Sequence, residues 1–221
     1  MTYRYALFDF DGTLADTKEG ILSAAAYSLR FFGIDADRDT LMKFVGPTLW
    51  HSYETLFGFD RVKADEAVRY YREYYSEKGI YEACLYPGIS EMLSQLTSAG
   101  VRLAVGSSKN EVFVTRALDH FGIREYFDIV IGSTPEGGHS SKDELIGMLM
   151  EGFGDADSSS YVYAGDSRSD MIGASKKNVD FIAALYDRDD SEFEGLVTRY
   201  EARSVEDMTR AVLGKYDDKR Q

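Results

Sequence analysis

The sequence predicts an α/β protein: a parallel sheet with a helical segment inserted after its first strand. Three observations carry this. Short β-rich apolar runs alternate with helical stretches, as the βα units of a parallel sheet require. Each run ends in Gly, Ser or Asp, residues that let a strand's carboxyl end turn sharply and present polar groups. Between the first run and the next lies a stretch, from about Lys18 to Cys84, with helical spacing only.

The first run is Tyr5-Ala-Leu-Phe8, followed at once by acidic residues and Gly12. Inside the insert, Gly20–Phe32 places Ile21, Ala24, Ala25, Leu29 and Phe32 on roughly one helical face. Arg61–Gly79 repeats that spacing with Val62, Ala67, Val68, Tyr71 and Tyr75. A structureless loop of about 65 residues is unusual in a compact domain, so the stretch reads as a helical subdomain. Leu85-Tyr-Pro-Gly88 reads as the hinge through which the chain returns. Helical patterns follow near residues 88–99, 111–121, 142–153 and 168–177. The runs between them are Val101–Val105, ending at Gly106-Ser107-Ser108; Asp128–Ile131, ending at Gly132; and Tyr161–Ala164, ending at Gly165-Asp166. Val179–Ala183 is the fifth. The expected division is a core of residues 1–16 and 86–221 with an insert of residues 17–85. The charged tail from Lys215 to Gln221 is expected to fray.

Composition narrows the function. The 221 residues are 44% hydrophobic and 29% charged, a soluble globular balance large enough for a real core without disulfide staples. A single cysteine, Cys84, excludes an intramolecular disulfide and fits a reducing compartment. The opening residues, MTYRYALFDFDGT, lack the long apolar segment of a secretory signal, and no run approaches the ~20 apolar residues of a membrane span. A soluble cytoplasmic protein, free of membrane, is expected. A net charge of −13 argues against nucleic-acid polymers as partners. It also repels anionic metabolites at long range, so a site for one needs a local cation cluster or a metal.

Asp9-Phe10-Asp11-Gly12-Thr13 is the strongest chemical signal. It follows an apolar strand, at the edge where α/β sheets bind ligands. Strand alternation lets Asp9 and Asp11 lean into one crevice, and Gly12 permits the sharp exit. Carboxylates that close repel unless a divalent cation joins them. An acidic capped turn is the plainer alternative for a single Asp-x-Asp. The second signal is Gly165-Asp166-Ser167-Arg168-Ser169-Asp170, at the tip of another strand and opening a helix. Capping and dipole effects explain either Asp alone, but less readily both beside the first motif.

These two segments resemble the first and fourth motifs of the haloacid dehalogenase superfamily, above all its phosphoglycolate phosphatase-like and 5′-nucleotidase-like members. The resemblance covers nearly the whole chain. It implies a Rossmann-like doubly wound core of strand order 3-2-1-4-5 with a small helical cap of the C1 type. It also implies Ser107 as the second-motif residue, its hydroxyl and nearby backbone N–H groups holding phosphoryl oxygens; the alternative is an N-cap serine, a part Ser108 could play. Lys142 matches the third motif, with Lys109 as rival and a solvated lysine as the plain alternative for either. Gly12, Thr13 and Ser108 join Ser107 and Lys142 on the phosphate-binding side.

The resemblance implies a mechanism too. Asp9 is the nucleophile that forms an aspartyl-phosphate, and Asp11 protonates the leaving oxygen and then activates water. The implied cofactor is Mg²⁺, held by Asp9, the Asp11 backbone carbonyl and Asp166, with Asp170 acting directly or through water. Carboxylate oxygens suit magnesium, and the scattered His51, His120 and His139 offer no zinc cluster. Asp11 argues for phosphoryl transfer over carbon dehalogenation. The expected substrate is a small phosphomonoester, phosphoglycolate-like or a nucleoside monophosphate. A β-phosphoglucomutase-like phosphosugar mutase is the first rival; a phosphonatase and a non-catalytic phosphate-binding module follow. A monomer or homodimer is expected. Phe44–Trp50 resembles the family's specificity segment, though Trp50 and the tyrosines at 70, 71, 74 and 75 read equally as packing within the insert. Lys18 and Lys43 read as solvated.

Overall fold

The computed structural model describes residues 3–139, 141–187, 190–193 and 198–215. In chain order the elements are β1 (Tyr5–Phe8), β2 (Ala15–Asp16), α1 (Lys18–Arg30), α2 (Arg38–Met42), α3 (Leu49–Phe57), α4 (Arg61–Tyr74), β3 (Cys84–Leu85), α5 (Ile89–Ser98) and β4 (Arg102–Asn110). There follow α6 (Glu111–His120), β5 (Phe127–Ser133), α7 (Lys142–Phe153), β6 (Tyr161–Gly165), α8 (Arg168–Lys176), β7 (Asp180–Ala184), β8 (Tyr200–Ala202) and α9 (Val205–Val212). The chain forms two compact units: Met1–Ala15 with Leu85–Gln221, and Asp16–Cys84. The short strands β2 and β3 pair where the chain passes from one to the other. Residues 216–221, the expected frayed tail, lie outside the described residues.

The larger unit holds a six-stranded sheet of order β5-β4-β1-β6-β7-β8, with every described pairing parallel. This is the expected order extended by a sixth strand, β8. Helices cover both faces, so the central strands are buried on both sides and their runs read as continuously apolar. One face gathers Tyr5 and Leu7 of β1, Tyr161 and Tyr163 of β6, and Ile146 and Leu149 of α7 into a single cluster. Each such aliphatic side chain taken from water contributes roughly 1.5–3 kcal/mol.

β4 corrects the expected boundary. It does not turn at Gly106 but runs on to Asn110, because β5 also runs on and pairs Gly132 with Ser107 and Ser133 with Asn110. A register shift between Ser107 and Asn110 absorbs the irregularity. Helix α6 then starts at once, capped by the Asn110 side chain accepting from the Val112 N–H at 3.1 Å. Neither Ser107 nor Ser108 supplies that cap.

The smaller unit is helical, as its spacing predicts. α1 buries Ile21, Ala24, Ala25 and Leu29. α4 buries Ala64, Ala67, Val68 and Tyr71, but Val62 is 80% exposed, against expectation. The reason is angular: Val62 and Ala67 are five residues apart, well off one face at 3.6 residues per turn. A wider π-helical turn, Tyr75–Gly79, follows α4 and lets Gly20 approach; a Cβ on Gly20 would sit 2.0 Å from the Gly79 carbonyl oxygen. Trp50 donates to Asp65 at 2.7 Å and lies under Arg61 and Arg72, so its contacts are within this unit. Tyr71 stacks on Tyr75, and Tyr70 on Phe31. Lys43 is exposed and Lys18 half-buried.

Candidate active site

Register builds the site. Phe8 of β1 lies level with Val105 of β4 on one side and Ala164 of β6 on the other. The next residues, Asp9, Gly106 and Gly165, therefore lie level, Asp9 and Gly165 at the carboxyl ends of β1 and β6, and Asp9 keeps the ladder by donating its N–H to the Ala164 carbonyl at 2.9 Å. Strand alternation puts Asp9 on the same side as Tyr5, Leu7 and Tyr163, the face covered by α7 and α8. Those helices bring Lys142 and Asp170. Glycine makes the room. A Cβ on Gly165 would meet the Asp170 carboxylate carbon at 2.4 Å, one on Gly173 the Lys142 Cβ at 2.5 Å, and one on Gly12 the Asp166 Oδ2 at 2.1 Å.

The result is a buried cluster in which Asp9, Asp166 and Asp170 each offer an oxygen within 4.8 Å of the others. All three carboxylates are buried, Asp170 completely. Lys142 is buried among them, with Nζ 2.7 Å from Asp9 Oδ2 and 2.8 Å from Asp170 Oδ1. Burial pulls the Lys142 pKa down, but Asp170 and Asp9 outweigh it and hold the ammonium charged. Three carboxylates still face one ammonium. Burial first, then Asp170 and Asp166, push Asp9 up to about 7 against the pull of Lys142.

Asp170 is saturated. Its Oδ1 accepts from Lys142, with the Tyr163 hydroxyl 3.3 Å away; its Oδ2 accepts from the Ser167 N–H at 3.0 Å and the Ser167 hydroxyl, closing a capping box on α8. Asp9 is not saturated: its Oδ1 is buried with no hydrogen-bond partner. An orphaned, buried carboxylate oxygen among hard oxygen donors, with negative charge in excess, fits a divalent cation.

Asp11 stands apart from this cluster. Both its carboxylate oxygens accept from the Lys109 ammonium, at 2.7 and 2.8 Å, with the lysine side chain 9% exposed. The two candidate lysines thus part company: Lys142 serves Asp9 and Asp170, Lys109 serves Asp11. Ser107, within the extended end of β4, is buried, and Ser108 beside it is half-buried. Gly12 takes the left-handed conformation at φ +77° that its turn demands. Thr13 is buried with its hydroxyl unpaired. His51, His120 and His139 are all exposed and take no part.

Two tyrosines belong to the site that sequence reasoning missed. Tyr163 donates to the Gly106 carbonyl at 2.8 Å and contacts Lys142 and Asp170. Its signal was present: a tyrosine in a buried strand, in phase with Asp9, needs a polar partner. Tyr186 donates to the Thr13 carbonyl; no local pattern marks it.

Fold and site together define a Rossmann-like α/β enzyme with a cation-ready acidic crevice at the carboxyl edge of its sheet. The chain belongs to the haloacid dehalogenase-like hydrolases, whose family model matches residues 6–184. It is 37% identical over 187 residues to a 5′-nucleotidase of Pseudomonas aeruginosa, covering 84% of each chain. It is 34% identical over 178 residues to the tyrosine-protein kinase PtkA of Mycobacterium tuberculosis, covering 80% of this chain and 60% of that one. Among solved structures, a protein of Clostridium acetobutylicum named as a predicted phosphatase superposes with a TM-score of 0.90 at 37% identity, covering 97% of this chain and all of the other.

Proposed function

We propose that the protein is a magnesium-dependent phosphatase that hydrolyses a small phosphomonoester through a phosphoryl group held on Asp9. The observation that carries this is the Asp9 carboxylate itself. One oxygen is held by Lys142 while the other is buried and unpaired. A nucleophile fixed through one oxygen, with no donor engaging the other, keeps that oxygen's lone pairs uncommitted for attack on phosphorus.

Asp9 attacks phosphorus and the ester oxygen leaves, giving an aspartyl-phosphate. Asp11 gives the leaving oxygen its proton and then takes one from the water that cleaves the intermediate. Asp11 must first part from Lys109. Lys142 offsets phosphoryl charge from beneath Asp9. Ser107, with Ser108, Gly12 and Thr13, binds the phosphoryl oxygens by hydroxyl and backbone N–H groups. Asp9, Asp166 and the Asp11 carbonyl would hold the magnesium ion, which supplies charge neutralisation at the phosphoryl group. Asp170, its oxygens already engaged by Lys142 and Ser167, would add negative charge to the ion's surroundings and fix Lys142 beside Asp9.

A relative named 5′-nucleotidase puts nucleoside monophosphates first on a substrate panel. No helix among the described residues is long and apolar enough to cross a membrane, and the single cysteine suits a reducing cytoplasm. The test is a panel of phosphorylated metabolites with Mg²⁺, reading free phosphate. A phosphatase releases it; a mutase keeps it on sugar, and a kinase moves it to an acceptor. No phosphate from any substrate, or full turnover in excess chelator, would overturn the reading.

A further inference from the structure

The Phe10–Ala15 loop is folded largely on itself. The Phe10 carbonyl accepts from the N–H groups of Thr13, Leu14 and Ala15, and the Gly12 N–H donates to the Ala15 carbonyl at 2.9 Å. Those bonds give the loop a shape but do not fix it against the sheet. The Asp11 side chain ties it to Lys109 of β4, and two bonds to its backbone carbonyls fix the Thr13–Leu14 end. The Leu14 carbonyl accepts from the Tyr86 N–H at 3.2 Å, and the Thr13 carbonyl accepts from the Tyr186 hydroxyl.

Tyr186 lies just beyond β7, on a different strand connection from the loop it grips. Its ring is packed edge-on against Tyr86, centroids 4.8 Å apart, and the Tyr86 hydroxyl is itself anchored on Asp187 at 2.6 Å. The aim of the Tyr186 hydroxyl is therefore set by packing. Its grip falls one residue from Gly12, and Gly12 has no slack: it lies so close to Asp166 that a Cβ there would overlap the carboxylate.

We propose that Tyr186 is a positioning residue for the acidic crevice, its hydroxyl fixing the Phe10–Ala15 loop and, through Gly12, the place of the Asp166 carboxylate. This rests on the reading that the crevice holds a divalent cation. Deleting the hydroxyl leaves the Thr13 carbonyl without that donor and lets the loop shift. A small displacement pressed onto Asp166 then loosens the cation site.

The experiment compares Tyr186→Phe with Tyr3→Phe in the full chain. Tyr3→Phe deletes a similar hydroxyl bond, 2.6 Å to Asp180, at the opposite end of β7. Magnesium chloride alone is titrated by calorimetry; kcat and KM for p-nitrophenyl phosphate and the Tm are measured beside it. Tyr186→Phe should weaken magnesium binding and lower kcat, each about tenfold, with KM within about twofold. Tyr3→Phe should lower only the Tm. A purely structural role would lower both Tm values and leave both magnesium affinities alone, which overturns the proposal. Hydrogen exchange on the wild-type protein tests it without a variant. Residues 10–15 should exchange slowly before magnesium is added; fast exchange that only magnesium suppresses would mean the ion, not Tyr186, holds the loop. Wild-type protein that binds no magnesium overturns both readings. Wild-type binding matched by a folded Tyr186→Phe overturns this one alone.

Discussion

Replacing Asp9 by Asn should abolish turnover and at the same time stabilise the metal-free protein. In the fold the Asp9 carboxyl is driven from its usual 3.8 to about 7, first by burial and then by Asp170 and Asp166. The sign follows from linkage. A carboxyl whose folded pKa is raised favours the fold below its unfolded pKa, and that contribution is lost as pH rises to the folded value. The window here runs from about 4 to 7. Above it, the wild-type fold carries a charge that the unfolded chain would rather hold, at about 1.4 kcal/mol per unit of displacement and so about 4 kcal/mol in all. Asn has the same shape without the charge, and its amide oxygen can still accept from Lys142. At pH 8 in chelator, Asp9→Asn should therefore exceed wild type by about 2–4 kcal/mol, a Tm gain of roughly 4–16 °C for a chain this long. The gain should shrink toward nothing as pH falls to about 4, and magnesium should narrow it at pH 8 by stabilising only the wild type. Thermal melts at pH 4, 6 and 8, with and without Mg²⁺, read all of this. An Asp9→Asn variant no more stable than wild type at pH 8 in chelator would refute the account of Asp9 as a strained, desolvated charge. An active one would refute its role as nucleophile.

Lys142→Met leaves Asp9 and Asp170 buried without their shared ammonium, so a loss of about 3–5 kcal/mol in denaturant melts is expected, together with loss of turnover. Gly12→Ala must place a Cβ 2.1 Å from Asp166 Oδ2 in a left-handed turn; magnesium affinity measured by calorimetry should fall at least tenfold. Asn110→Ala removes the α6 cap and should lower the Tm by about 2–4 °C, the effect of roughly 1 kcal/mol.

The parts of the fold legible in the sequence are those buried on both faces. β1, β4, β6 and β7 announce themselves because a strand covered on both sides reads as an unbroken apolar run; β5, an edge strand only partly buried, shows through the short apolar run Ile129–Ile131. β8 does not, because Tyr200-Glu-Ala202 is too short to show a period and carries a charge at its centre. α9 had a start signal, Ser204 three residues before Asp207, but only eight residues to support it. In the site, motif spacing brings out Asp9, Asp166 and Asp170 as candidates. It cannot say which carboxylates share space, since the crossover connections decide that. Asp11, two residues from Asp9, goes to Lys109, while Asp170 arrives from a distant helix to lie within the same cluster as Asp9. Place in the sequence, at the start of a helix, favours Lys142 over Lys109 as the site lysine, but only distance shows that each holds a different carboxylate. Tyr186 leaves no mark at all in its local sequence, because its partner is a backbone carbonyl, which every residue has.

The glycines around the crevice give a sharper test of how it is held. Gly173 lies inside α8, where exchanging Gly for Ala ordinarily favours a helix by up to about 1 kcal/mol. Here the same change should destabilise. A Cβ at Gly173 would stand 2.5 Å from the Lys142 Cβ and 3.0 Å from the Asp143 backbone nitrogen. Neither obstacle is the far end of a flexible chain, so α7 and α8 have to move apart. Lys142 is the first residue of α7, and any retreat draws its ammonium away from Asp9 and Asp170. Gly173→Ala should therefore lower both the Tm and kcat, whereas an exposed glycine with open space around it, such as Gly33, has no such coupling to the site. If Gly173→Ala instead follows helix propensity and raises the Tm, the two helices are not in close backbone contact, and the placement of Lys142 under Asp9 must rest on something other than the fit of α7 against α8.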